Sequence, residues 1–131
     1  MIGLDTNVLV RYVMQDDPRQ SPKATRLMES LTSESPGFVS QISIVEFVWV
    51  LSSSYELTRA QVASALDLLL RGKELVIGGA DQVARALRVF KAGSADFADC
   101  LIERAADTAG CSATMTFDVA AAKTAGMSLI Q

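Results

Sequence analysis

Residues 1–10 read MIGLDTNVLV, the order of a strand handing over to a helix. Ile2 to Leu4 suit a short strand, Asp5 stands at the junction, and beyond it Val8, Leu9, Tyr12 and Val13 recur at helical period. An acid at such a junction has an ordinary use as an N-cap, accepting from the first helical N–H groups. It is also at the C-terminal end of a strand, which in an open parallel sheet is the edge where ligands bind. The fold therefore turns on whether this strand–acid–helix unit is followed by others.

It is. DDPRQ ends the first helix, because Pro18 disfavours helical geometry at Asp17. SPKATRLMESL is expected as a second helix, with Ser21 as N-cap and Pro22 at the first helical position. After the turn SESPG, FVS reads as a strand ending near Ser40. QISIVEFVWVLSSSYE is apolar nearly all the way round and is expected as a buried helix; TRAQVASALDLLLRG follows, capped by Thr58 and stopped by Gly72. KELVIGG is a strand, ADQVARALRVFKAGS an amphipathic helix opening near Asp81, and ADFADCLIERAADTAG a helix closed by Gly110. CSATMTFD is a strand ending on an acid, AAAKTAG a short helix and MSLIQ a last strand. This alternation predicts an α/β fold, with a mainly parallel central sheet covered on both faces, in a single domain over residues 1–131.

Bulk properties narrow the function classes. A chain of 131 residues, half of them apolar and a fifth charged, buries enough surface to fold without staples and is not disordered. No stretch approaches the ~20 apolar residues of a membrane span, and no basic segment precedes an apolar run at the N-terminus, so a cytoplasmic protein without membrane association is expected. Cys100 and Cys111, with ten residues between them, match no zinc or redox spacing and are expected as buried, reduced thiols. Histidine is absent, which removes the usual general base and every Ser–His or Cys–His nucleophile pair.

Five acids stand out against this map. Asp5 ends the first strand and Asp118 the strand ATMTFD, placing both at the C-terminal sheet edge. Asp96 and Asp99, three apart in SADFADCLI, share one helix face. Asp5 and Asp96 also suit capping, and Asp118 a turn. Glu46 has no such use: Val45, Phe47, Val48 and Trp49 surround it, and no Lys or Arg lies within six residues on either side. Two carboxylates 4 Å apart repel by about 4 kcal/mol at an effective dielectric near 20. Several such pairs would consume most of a domain's ~5–15 kcal/mol of stability. Protons relieve one or two members of such a cluster; a divalent cation relieves all of them. Hard oxygen donors without His or Cys select Mg²⁺ or Mn²⁺.

With these residues assembled, LDTNVLV, SIVEFVWVL, GSADFADCLIERAA and the late TFD together resemble PIN-domain ribonucleases, above all the toxin subunit of VapBC-type toxin–antitoxin pairs, over essentially the whole chain. The resemblance implies a three-layer α/β/α PIN-like domain, a metal-dependent endoribonuclease that hydrolyses RNA with Mg²⁺ or Mn²⁺. Carried over residue by residue, it implies a catalytic set of Asp5, Glu46, Asp96, Asp99 and Asp118. Asp5, Asp99 and Asp118 would hold metal, while Glu46 and Asp96 complete a second metal position or orient water. Thr6, Asn7 and Thr116 would orient ligands and water. It further implies a homodimer and a cognate VapB-type antitoxin, for which Val48, Trp49, Leu51 and Tyr55 offer apolar contact.

A net charge of −3 looks unsuited to an RNA partner. Setting aside the five acids leaves ten acidic against twelve basic residues, about +2, so the acidity is largely that of the site. Arg85, Arg88 and Lys91 at helical spacing and Arg11 beside Asp5 are weak candidates for phosphate contacts, or else solvated helix positions; after TFD only Lys123 adds a cation. Two other readings stand beside the nuclease. One is a catalytically silent PIN-like domain that binds RNA or protein. The other is a phosphoacceptor receiver domain, which lacks its acceptor acid here because ELVIGGA ends without one.

Overall fold

The computed structural model describes residues 1–131, in which short strands alternate with helices. β1 (Ile2–Gly3) leads into α1 (Thr6–Met14) and α2 (Gln20–Ser30), and β2 (Gly37–Val39) into α3 (Gln41–Ser53) and α4 (Arg59–Arg71). β3 (Leu75–Ile77) precedes α5 (Ala80–Ala92) and α6 (Phe97–Thr108); β4 (Met115–Thr116), α7 (Val119–Thr124) and β5 (Ser128–Leu129) follow. The expected α/β class with parallel strands is the one the chain adopts. Its internal contacts divide it into two compact units, Met1–Gly79 and Ala80–Gln131.

In the first unit β1, β2 and β3 pair in that order, all parallel, with Ile2 opposite Gly37 and Gly37 opposite Leu75. Parallel neighbours need long crossovers, and a pair of helices supplies each one. Leu9, Val39, Ile44, Phe47, Leu51 and Leu66 are fully buried and form the centre of this unit's core. A glycine at 37 lets Leu4 and Leu31 close over the middle strand: a Cβ there would stand 2.7 Å from Leu4 Cδ1.

Helix boundaries follow local chemistry. Ser40 caps α3 by accepting from the Ser43 N–H, and Thr58 and Gln61 form a reciprocal capping box on α4, which Gly72 ends as expected. α2 begins earlier than the sequence suggests. Its N-cap position is Arg19, and the Asp17 carboxylate supplies the cap by accepting from Arg19 N (2.9 Å) and Gln20 N (2.7 Å). Ser21 is instead buried inside the first turn, and Pro22 occupies a first-turn position where its missing N–H costs nothing. These two N–H groups also hold the Asp17 carboxyl below its usual pKa.

In the second unit α5 packs on α6, with Phe90 and Phe97 edge to face at 5.8 Å. Gly110, at φ 92°, ends α6 where a left-handed residue is needed. β4 and β5 form a separate parallel pair around α7. The strand expected over CSATMTFD is only Met115–Thr116, so Asp118 lies past its end. Cys100 is buried as expected, but Cys111 is exposed, because it follows α6 in an open loop; neither forms a disulfide. No helix is long and apolar enough to cross a membrane.

Candidate active site

In the first unit, Asp5 follows β1 in extended conformation and is the N-cap of α1, its Oδ1 accepting from Thr6 N at 2.8 Å. Thr6 is buried, and its hydroxyl donates to Glu46 Oε1 at 2.8 Å, tying the first turn of α1 to the second turn of α3. Asp5, Thr6, Asn7, Arg11, Glu46 and Tyr55 line one cavity of about 540 Å³. Two of the expected acids thus open onto the same space, although they lie 41 positions apart.

Glu46 itself is exposed, which corrects the expectation of an embedded acid. α3 buries Ser43, Ile44, Phe47, Val48 and Leu51 on one face and leaves Ile42 (74% exposed), Glu46 and Trp49 (66%) on the other. The apolar residues on its outer face made it read as buried all round. For the same reason Val48 and Leu51, expected as partner-contact material, belong to the core.

The second unit holds the other three acids. Asp96 is the N-cap of α6, accepting from Asp99 N at 3.1 Å, and Asp99 sits in that helix's first turn. Asp118 is the N-cap of α7, its Oδ1 accepting from Ala120 N (2.8 Å) and Ala121 N (3.2 Å). Thr116 accepts from the Asp118 N–H at 3.0 Å, so its hydroxyl sets the backbone that carries the acid. Burial pushes the Asp99 carboxyl above its ordinary pKa of 3.8, and the charges of Asp96 and Asp118 push it further.

None of the five acids has a protein cation as partner; ion pairs elsewhere join Arg11 to Asp16, Arg85 to Asp81 and Asp107, and Arg104 to Glu103 and Asp107. As the side chains stand, no three acids or thiols are arranged to hold a metal ion. Asp5, Asp96 and Asp118 each commit one oxygen to a helix N-terminus and keep the other. The donor chemistry fits a divalent cation: hard oxygens only, one carboxyl whose pKa is raised by burial and then by like charges, and no internal counter-ion.

The candidate cations separate. Arg11 lines the cavity of Asp5 and Glu46; its Nη1 donates to the Tyr55 hydroxyl (3.1 Å) and pairs with Asp16 (3.4 Å), and its Nε donates to Gln20 Oε1 (2.8 Å). Tyr55 in turn donates to Asp16 at 2.7 Å, a bond that raises its pKa and keeps the phenol protonated. Arg85 is engaged by Asp81 at 3.2 Å, whereas Arg88 is exposed. Asp16 and Tyr55 as anchors of Arg11 were not foreseen; only proximity to Arg11 across the fold marks them.

Thr6→Val removes the hydroxyl that holds Glu46 and keeps the shape of the side chain. Its expected effect is a loss of about 10-fold or more in turnover, the scale of an orienting partner, with the fold kept by circular dichroism.

No curated protein matches this chain. The family model described as PIN domain matches residues 2–127. Proteins of this kind are typically metal-dependent nucleases.

Proposed function

The chain belongs to the PIN-domain family, and from that premise we propose that it is an Mg²⁺- or Mn²⁺-dependent endoribonuclease, the cytoplasmic toxin of a VapBC-type toxin–antitoxin pair. Family membership supports the nuclease class. The combination of DTN at 5–7, DFADCLI at 96–102 and TFD at 116–118 supports the toxin reading, with a VapB-type antitoxin and a second copy of the chain as partners.

In this reading residues 1–131 work as one domain, and Asp5, Asp99 and Asp118 would hold the metal, Asp5 and Asp118 through the oxygen that capping leaves free. When bound, the cation neutralises the carboxylates, polarises the scissile phosphate and acidifies a water for attack. Glu46, fixed by the Thr6 hydroxyl, and Asp96 orient water at the phosphate. Asn7, on the same cavity wall, donates or accepts toward the sugar–phosphate backbone.

The observation that carries this reading is the set of five acids without a protein cation, in which burial and then the charges of Asp96 and Asp118 push Asp99 toward protonation. RNA cleavage with Mn²⁺, comparing wild type with Asp5→Ala and Asp99→Ala, tests it: both variants are expected to be inactive. Cleavage unchanged in both rejects the assignment. One observation favours a second reading, a PIN-like domain that binds RNA or protein without cutting it: no three acids stand arranged for a metal. RNA binding with no cleavage by wild type selects that reading.

A further inference from the structure

Two cavities of the first unit share a wall. The first holds Asp5 and Glu46. The second, about 240 Å³, lies where α1 packs on α2 and is lined by Asn7, Val8, Arg11, Lys23, Ala24 and Leu27. Asn7 and Arg11 border both, so the second cavity adjoins the one that holds the carboxylates. The spacing accounts for it: Asn7 and Arg11 are i, i+4 on α1, while Lys23 and Leu27 are i, i+4 on α2.

The second cavity carries two cations, and no acid lines it. Lys23 is exposed and has no ion pair. Arg11 is fixed in place: Gln20 holds Nε, while Asp16 and Tyr55 hold Nη1, which leaves Nη2 without a protein partner. A guanidinium held this way loses little freedom on meeting a phosphate. The rest of the lining includes the apolar side chains of Val8, Ala24 and Leu27. Cations and apolar side chains in one cavity match a nucleotide, whose phosphate is anionic and whose base has an apolar face.

We propose that this second cavity is the subsite for the nucleotide next to the scissile phosphate, with Arg11 and Lys23 binding its phosphate and Val8, Ala24 and Leu27 receiving its base. The identity of the strand rests on the ribonuclease reading. Cleavage specificity then depends in part on which base fits between α1 and α2.

The test uses the full chain with Lys23→Gln and Lys23→Glu, both surface changes that leave the fold intact. Affinity for a labelled single-stranded RNA is read in EDTA over a range of salt, and turnover of bis(p-nitrophenyl) phosphate, which has no flanking nucleotide, is read with Mn²⁺. Lys23→Gln is expected to weaken RNA binding by about 3–10-fold and to lower the salt slope by about 0.7, the share of one phosphate contact, and Lys23→Glu to weaken it further. Turnover of the small diester is expected to be unchanged. RNA affinity and slope equal to wild type in both variants overturn the subsite, as does a wild type that binds no RNA. Equal displacement of the RNA by an oligoglutamate of the same charge overturns the nucleotide assignment. If wild type turns over neither substrate while the Lys23 variants still lose RNA affinity, the ribonuclease reading falls and the nucleotide subsite stands.

Discussion

Asp99→Asn is expected to lower RNA cleavage by more than about 100-fold and, in the absence of metal, to make the protein more stable. The activity loss exceeds the ~10–100-fold typical of removing an outer partner of a metal site, because Asp99 is a proposed direct ligand. The stability gain has a separate cause. Asp99 is partly desolvated and feels the charges of Asp96 and Asp118, with no protein cation in return. Asparagine keeps the shape and the backbone N–H that caps on Asp96 but removes the charge. The site faces solvent, so the gain is that of a screened near-surface pair, roughly 0.2–1 kcal/mol. That corresponds to a Tm higher by a few degrees at most, read by thermal denaturation in EDTA. A variant that is inactive and less stable than wild type would place Asp99 in a purely structural role.

Divalent cations are expected to raise the Tm of wild type by more than that of Asp99→Asn. A ligand that binds only the native state adds about 2.7 kcal/mol at a hundred times its dissociation constant, several degrees for a domain of this size. The effect depends on pH in a fixed direction. Because the Asp99 carboxyl titrates above 3.8 in the native protein, the metal-free fold takes up a proton there more readily than the unfolded chain does. The charged form therefore costs stability above the native pKa, and that cost disappears as the pH falls through the native value toward 3.8. Protons and metal compete for the same carboxylate. The Tm increment from Mg²⁺ or Mn²⁺ should be full at neutral pH and shrink as the pH falls through the raised pKa. An increment independent of pH across that range would mean the cation binds elsewhere.

Much of this is legible in the sequence alone. MIGLDTNVLV announced a strand, a capping acid and a helix, and β1, Asp5 and α1 follow that order because each step is local chemistry. The capping box at Thr58 and the stop at Gly72 were legible for the same reason. Failures came where a tertiary choice decided the outcome. α3 carries apolar residues on both faces, so composition could not say which face would be buried, and Glu46 emerged exposed beside Trp49. α2 begins at Gln20, ahead of the N-cap expected at Ser21, because Asp17, outside the helix, captures the Arg19 and Gln20 N–H groups. Cys111 follows a helix end, where neighbours in sequence say little about burial. The acids themselves were found by type and position, yet the Thr6 hydroxyl bond to Glu46 joins residues 40 apart and leaves no periodic trace. The anchoring of Arg11 by Asp16 and Tyr55 is of the same kind.

Whether acids from residues 1–79 and 80–131 serve one ion is answered most directly by a double-mutant cycle on Mn²⁺ affinity. Titrations of wild type, Asp5→Asn, Asp99→Asn and the double variant supply it. If both carboxylates ligate the same ion, each single change weakens binding by about 10-fold or more and the second change adds little to the first. Undiminished Mn²⁺ affinity in either single variant, or losses that simply multiply in the double, would contradict a shared metal centre.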